Sequence, residues 1–258
     1  MGLGLGGLVV VGVLSLIFRT NFFALLGSGD GGSGGPAAVS PRDPATEEKA
    51  KKIAVFAFND GQRVWAPETT QRSVPYRPAK MVLFWDETRS GCGAADAQTG
   101  PFYCPADEKV YLDLGFFNEL STRFGAPGEF AQAYVVAHEV GHHVQHLLGI
   151  DTKMRKEQAR SPDQKNELSV RLELQADCFA GVWGHSTNER RLLDPGDVDG
   201  GLRAAASIGD DKLQKEATGR VRPEKFTHGT SEQRKKWLLR GLGSGKIEDC
   251  DTFAASTL

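Results

Sequence analysis

The chain has 258 residues, 40% hydrophobic and 25% charged, a globular balance sufficient for one sizeable domain or two small ones. A formal net charge of −2 leaves no basic excess to hold a nucleic-acid backbone, and no nucleic-acid partner is expected. None of the four cysteines is spaced C-x-x-C, which argues against a cysteine-rich structural zinc site and thioredoxin-like chemistry, while the even count fits two disulfides in an exported domain. The expected pairs are Cys92–Cys104, closing a Gly/Pro-containing loop, and Cys178–Cys250, tying the C-terminus to a helix; sequence alone allows three pairings.

Residues 1–18 carry no charged side chain, and apolar character resumes over 22–26 after Arg19. Without a basic leader or a small-x-small cleavage site, this stretch predicts an uncleaved transmembrane helix over 1–26 rather than a signal peptide. Arg19 argues weakly against sending the following chain outward, but the cysteines point to an oxidising compartment, so the domain is expected on the extracytoplasmic side. Residues 27–45 read as a Gly/Ser/Pro-rich linker, and 46–258 as the folded domain.

Within that domain, 46–58 reads as a helix. Residues 80–86, 102–104 and 109–114 read as three strands of a small antiparallel sheet, with 90–100 a Gly/Ala loop holding Cys92. The sheet edge could accept an extended peptide, or a loop could cover it. Helices follow at 116–124 and 128–148, the latter with a buried stripe of Phe130, Tyr134, Ala137, Gly141, Val144 and Leu148. Ser161, Pro162 and Gln164 predict a capping box opening a helix to about Gly184. Two further helices are expected at 198–217 and 231–239, the last capped by Thr230 with Gln233 reaching back.

The helix over 128–148 carries His138-Glu139-x-x-His142. Residues four apart sit one turn above each other, so two imidazoles can reach one ion while Glu139 handles a water beside it. A catalytic zinc takes three protein ligands. The metzincin route fails, because Gln145 and Leu148 occupy the positions its Gly and His need. His146 is rotated away from His138 and reads as a helix-surface or supporting residue, and His185 has no helical relation to the motif. Glu173 and Asp177 lie four apart on the next long helix, amid Leu172, Leu174, Ala176 and Phe179. A solvated face is the alternative, yet an apolar helix does not bury acids without partners. Antiparallel packing would make Glu173 the third ligand and let Asp177 accept the outward N–H of a liganding histidine.

The Glu173-x-x-Ala176-Asp177 element resembles the glutamate helix of gluzincin proteases of the CAAX-processing and HtpX-like kind. The runs GPFYCPADEKVYLDLGFF, AHEVGHHVQHLLGI, RLELQADCFAGVWGH, IGDDKLQK and FTHGTSEQRKKW resemble those of the bacterial neutral zinc metallopeptidase family, over nearly everything from residue 46 to 253. The resemblance implies an α+β, mainly helical zincin-like domain with Zn2+ as cofactor, a peptide or protein substrate and an N-terminal membrane segment. The expected chemistry is hydrolysis of peptide bonds by a zinc-activated water, with Glu139 as general base. His228, in a loop before a capped helix, is the candidate oxyanion donor; a surface loop histidine is the alternative, and Tyr111 is assigned to the sheet. A membrane-tethered scaffold with a non-catalytic zinc is the rival reading, disfavoured because structural sites are usually closed by four ligands. Intramembrane proteolysis is disfavoured because Glu129, Gln132 and Gln145 interrupt the motif helix.

Overall fold

The first helix, α1, spans Pro44–Gln71, far beyond residue 58 where the sequence reading ended it. Its start is set locally: Asp43 accepts from the backbone N–H groups of Ala45 and Thr46, and Pro44 occupies the first turn. Its inner face is Ala50, Ala54, Ala57, Phe58, Gly61 and Trp65, and it also buries Asp60. That charge is matched from a distant helix, where Arg190 makes two hydrogen bonds to Asp60 (2.8 and 2.6 Å) and Trp183 donates its indole N–H at 2.9 Å. The polar second half looks like a loop in sequence because what it packs against lies far along the chain: Gly61 meets Val140 and Trp65 meets Phe179.

The structure is a computed structural model describing residues 43–96 and 99–258. The expected anchor over 1–26 and all but the last residues of the expected linker lie outside the described residues. No helix among the described residues is long and apolar enough to cross a membrane.

The strands are β1 (Lys80–Phe84), β2 (Glu87–Ser90), β3 (Gly93–Asp96), β4 (Phe102–Cys104) and β5 (Lys109–Asp113). The sheet differs from the antiparallel one expected: its order is β1-β5-β4, with β1 parallel to β5 and only β4 antiparallel. The reason is burial. Val110, Tyr111, Leu112 and Asp113 are buried on both faces of β5, the signature of a central strand, so β1 and β4 become the edges. The long connection from β1 to β5 permits the parallel pairing. The segment read as a Gly/Ala loop contains β3, which pairs antiparallel with β2 just before it in a second, two-stranded sheet.

Seven further helices complete the described residues: α2 (Leu114–Thr122), α3 (Glu129–Leu147), α4 (Ile150–Arg160), α5 (Lys165–Glu189), α6 (Asp197–Ser207), α7 (Asp210–Thr218) and α8 (Ser231–Ser244). The capping box expected at Ser161 does not form. Ser161 reaches Glu157 instead, Pro162–Gln164 makes a 3-10 turn, and α5 starts at Lys165. The single helix expected over 198–217 is two, broken at Ile208-Gly209, where a Cβ on Gly209 would meet the backbone of Ser231 at 2.4 Å. The Thr230–Gln233 capping box does form, at the start of α8.

Helices α3 and α5 cross antiparallel through the core. Phe130 stacks on Trp183 at one end (5.9 Å between centroids), and Gln145 reaches Leu172 at the other. Gly141 permits the approach, since a Cβ there would lie 3.2 Å from the Ala176 carbonyl oxygen and 3.3 Å from Phe179 Cβ. The expected stripe of α3 is buried apart from partly exposed Leu148, and the opposite face buries Val135, Val136 and Val140 as well. Both expected disulfides are present, Cys92–Cys104 and Cys178–Cys250.

Candidate metal centre

His138, His142 and Glu173 each aim one ligand atom at a common point, and these atoms all lie within 4.8 Å of one another. The two Nε2 atoms are 3.1 Å apart, His138 Nε2 is 3.2 Å from Glu173 Oε2, and His142 Nε2 is 3.6 Å from Glu173 Oε1. Tetrahedral ligands at the usual zinc bond lengths sit about 3.3 Å from one another, so this triangle has the size a zinc ion needs.

The hydrogen bonds behind the rings decide the chemistry of the triangle. His138 Nδ1 lies 2.9 Å from Asp177 Oδ1, so it carries the proton and leaves a lone pair on Nε2. The Asp177 charge is held by Arg234, which donates to both carboxylate oxygens at 2.9 Å, and by the Tyr134 hydroxyl at 2.6 Å. His142 Nδ1 donates to Gln145 Oε1 at 2.8 Å, which again leaves the lone pair on Nε2. In the neutral form of each ring the Nε2 lone pair thus faces the Glu173 carboxylate, and two such nitrogens with one carboxylate can hold a cation and fit zinc's preference for N and O ligands.

The same carboxylates draw protons onto the imidazoles, so a cation binding at the triangle takes the place of a proton on Nε2. Burial opposes a charge on His138, but Asp177 and then Glu173 outweigh it and lift its pKa to about 10. Burial would raise the Glu173 pKa, yet the two histidines pull it well below the usual carboxylate range. Glu139 is buried next to the first ligand, and burial raises its pKa against the pull of His142 and His138.

His228 sits at the rim. Asp210, at the start of α7, accepts from the backbone N–H groups of Thr227, His228 and Gly229 (2.7, 2.6 and 3.1 Å), which pins the loop. His228 Nδ1 is 3.3 Å from Asp210 Oδ1. Burial lowers its proton affinity, but Asp210 and then Glu173 outweigh this and raise it, which brings its charge into the electrostatics of the ligand cluster. The other histidines lie elsewhere: His146 pairs with Asp151 at 2.9 Å, and His185 Nδ1 donates to the Leu242 carbonyl at 2.8 Å. Tyr111 belongs to the sheet, stacked on Phe102 and bonded to Asp107.

Sequence reasoning missed Arg234, Tyr134, Gln145 and Asp210. Tyr134 sits four residues before His138 and was visible only as a stripe position. Arg234 is 57 residues from the carboxylate it holds and gives no local signal.

The chain matches, over residues 1–253, the family described as "Putative neutral zinc metallopeptidase". It belongs to that family. Among its relatives, the Escherichia coli K12 protein named "Uncharacterized protein YpfJ" is 47% identical over 220 residues, covering 85% of this chain and 75% of the relative. The Mycobacterium tuberculosis H37Rv protein named "Uncharacterized protein Rv2575" is 40% identical over 215 residues, covering 79% and 71% respectively. No solved structure matches the chain.

Proposed function

We propose that the chain is a membrane-anchored zinc metalloendopeptidase, with His138, His142 and Glu173 as ligands and Glu139 as general base. The observation that carries this reading is the convergence of His138 Nε2, His142 Nε2 and the Glu173 carboxylate, one residue from a buried carboxylate of raised pKa. Zinc, when bound there, supplies a Lewis acid that polarises water and a substrate carbonyl.

The rest of the chemistry belongs to the protein. Glu139 accepts a proton from the attacking water and returns it to the leaving amine nitrogen, and its raised pKa brings it nearer the neutral range where such a base works best. Asp177, neutralised by Arg234, holds the His138 ring in one tautomer. His228 donates to the oxyanion that forms as the carbonyl is attacked, with Asp210 fixing its loop. The substrate is a peptide or protein. We assign residues 1–26 as a single-pass anchor and the domain to the extracytoplasmic side, a reading supported by the two disulfides.

The test is Glu139→Gln in the full chain. Zinc content stays at the parental level, and cleavage of a casein-type substrate falls by about 10²–10⁴-fold. A variant that cleaved at the parental rate would overturn the assignment of the base. For His228→Ala, kcat falls by about 10²–10³ with zinc content unchanged; loss of the metal instead would make His228 a ligand.

A further inference from the structure

The buried polar groups on the far side of His142 form one continuous chain. His142 Nδ1 meets Gln145 Oε1 at 2.8 Å. Gln145 Nε2 donates to the Leu172 carbonyl at 2.8 Å and to Gln175 Oε1 at 3.1 Å. Gln175 Nε2 donates to the Cys250 carbonyl at 3.0 Å. Cys250 is bonded to Cys178, which follows Asp177, the residue that holds the other liganding histidine.

The direction of every bond in this chain is fixed by its ends. A backbone carbonyl can only accept, so the Gln175 nitrogen must face Cys250 and its oxygen must face Gln145. The Leu172 carbonyl likewise requires the Gln145 nitrogen on its side, which turns the Gln145 oxygen toward His142. Of the two neutral tautomers, an oxygen at that position admits the one with the proton on Nδ1 and the lone pair on Nε2. Both glutamines are buried, Gln145 completely. A buried amide is costly unless fully bonded, and packing alone would be served as well by an apolar side chain.

We propose that Gln145 and Gln175 are positioning residues that tie the metal-facing lone pair of His142 to the disulfide-held carbonyl of Cys250. The Cys178–Cys250 bond thereby sets metal affinity as well as stability. It keeps the short 3-10 turn Ile247–Cys250 against α5, and so keeps the acceptor that orients Gln175 in place. This rests on the reading of His138, His142 and Glu173 as a metal site but not on peptidase activity.

The experiment compares Gln145→Met, Gln175→Met, the double variant and Cys178→Ala/Cys250→Ala with the parent. Zinc affinity is read by chelator competition, and the ligand field by the visible spectrum of the Co2+-substituted protein. Gln145→Met is expected to weaken zinc binding by about 10–100-fold and to shift the Co2+ bands. Gln175→Met and the disulfide-free variant weaken it by a smaller factor, and Gln175→Met adds nothing on top of Gln145→Met, as members of a series must behave. If Gln145→Met fails to fold, Gln175→Met carries the test, because its amide does not touch the histidine. Parental affinity and spectrum in both glutamine variants, with only the unfolding temperature lowered, would overturn the proposal. A loss confined to Gln145→Met would sever the link to the disulfide and overturn it too. A parent that bound no zinc would remove this inference together with the metal site, whereas a parent that bound zinc without cleaving peptides would remove only the proposed activity.

Discussion

Asp177 is fully buried, and it is tolerable there only because Arg234 and Tyr134 engage both its oxygens. The pair is weak support for stability as a unit, but removing one partner leaves an uncompensated buried charge. Arg234→Met is therefore expected to destabilise the fold by about 3–5 kcal/mol, measured by urea unfolding. If Asp177→Asn on that background recovers part of the loss, the unpaired charge is the cause. Glu173 and Asp177 were legible in sequence because two acids one helical turn apart among leucines and alanines need a reason. Arg234 was not, because it lies in a polar run whose helix could have turned any face inward. His228 is intermediate: its loop and the cap after it were visible, but the Asp210 carboxylate that gathers three of the loop's N–H groups was not.

At the level of elements, α5 and α8 run side by side in the same direction, with Asp177 against Arg234 and Gly181 against Leu238 and Gly241. Their backbones touch through glycine. A Cβ on Gly241 would lie 2.0 Å from the Cys178 carbonyl oxygen and 2.8 Å from the Val182 nitrogen, neither of which can swing aside. Gly241→Ala should lower stability by about 3 kcal/mol or more, at or above the upper end of the usual overpacking cost. Gly243→Ala, two residues on, meets nothing within 4 Å and is expected to be neutral or stabilising by up to about 1 kcal/mol through helix propensity. Equal melting temperatures for the two variants would contradict the close crossing. Sequence periodicity located α3 because its buried face repeats, and cap residues located α5 and α8, although only the cap of α8 forms. It overlooked α4, whose run IDTKMRKEQAR buries only Asp151 and Met154, and it read β3 as loop because its Gly and Ala carry little strand signal.

For the whole molecule, the two disulfides differ in what they close. Cys178–Cys250 spans 72 residues and Cys92–Cys104 spans 12. Chain-entropy arguments give about 4 kcal/mol for the longer loop and about 3 kcal/mol for the shorter. Cys178→Ala/Cys250→Ala should therefore lose more stability in denaturant than Cys92→Ala/Cys104→Ala. The gap should exceed the entropic difference, because the C-terminal segment also gives the Thr252 and Ala255 carbonyls to Arg171, and Thr252 donates its hydroxyl to the Arg171 carbonyl at 2.6 Å. A larger loss from the shorter loop would show that the tail stays docked without its disulfide.

Where chemistry depends on neighbours along one helix, sequence alone was enough. The 3.6-residue turn puts His138 and His142 on one face and Glu173 and Asp177 on another, whatever the rest of the chain does. The Thr230–Gln233 cap is local in the same sense. The tertiary structure alone decided which strand lies at the centre of the sheet, which cation neutralises Asp177, and which amide fixes the tautomer of His142. Those choices are made by burial, since a buried charge or amide must find a partner wherever the fold brings one within reach. Such partners lie 30, 57 or 130 positions apart in this chain and leave no periodic trace.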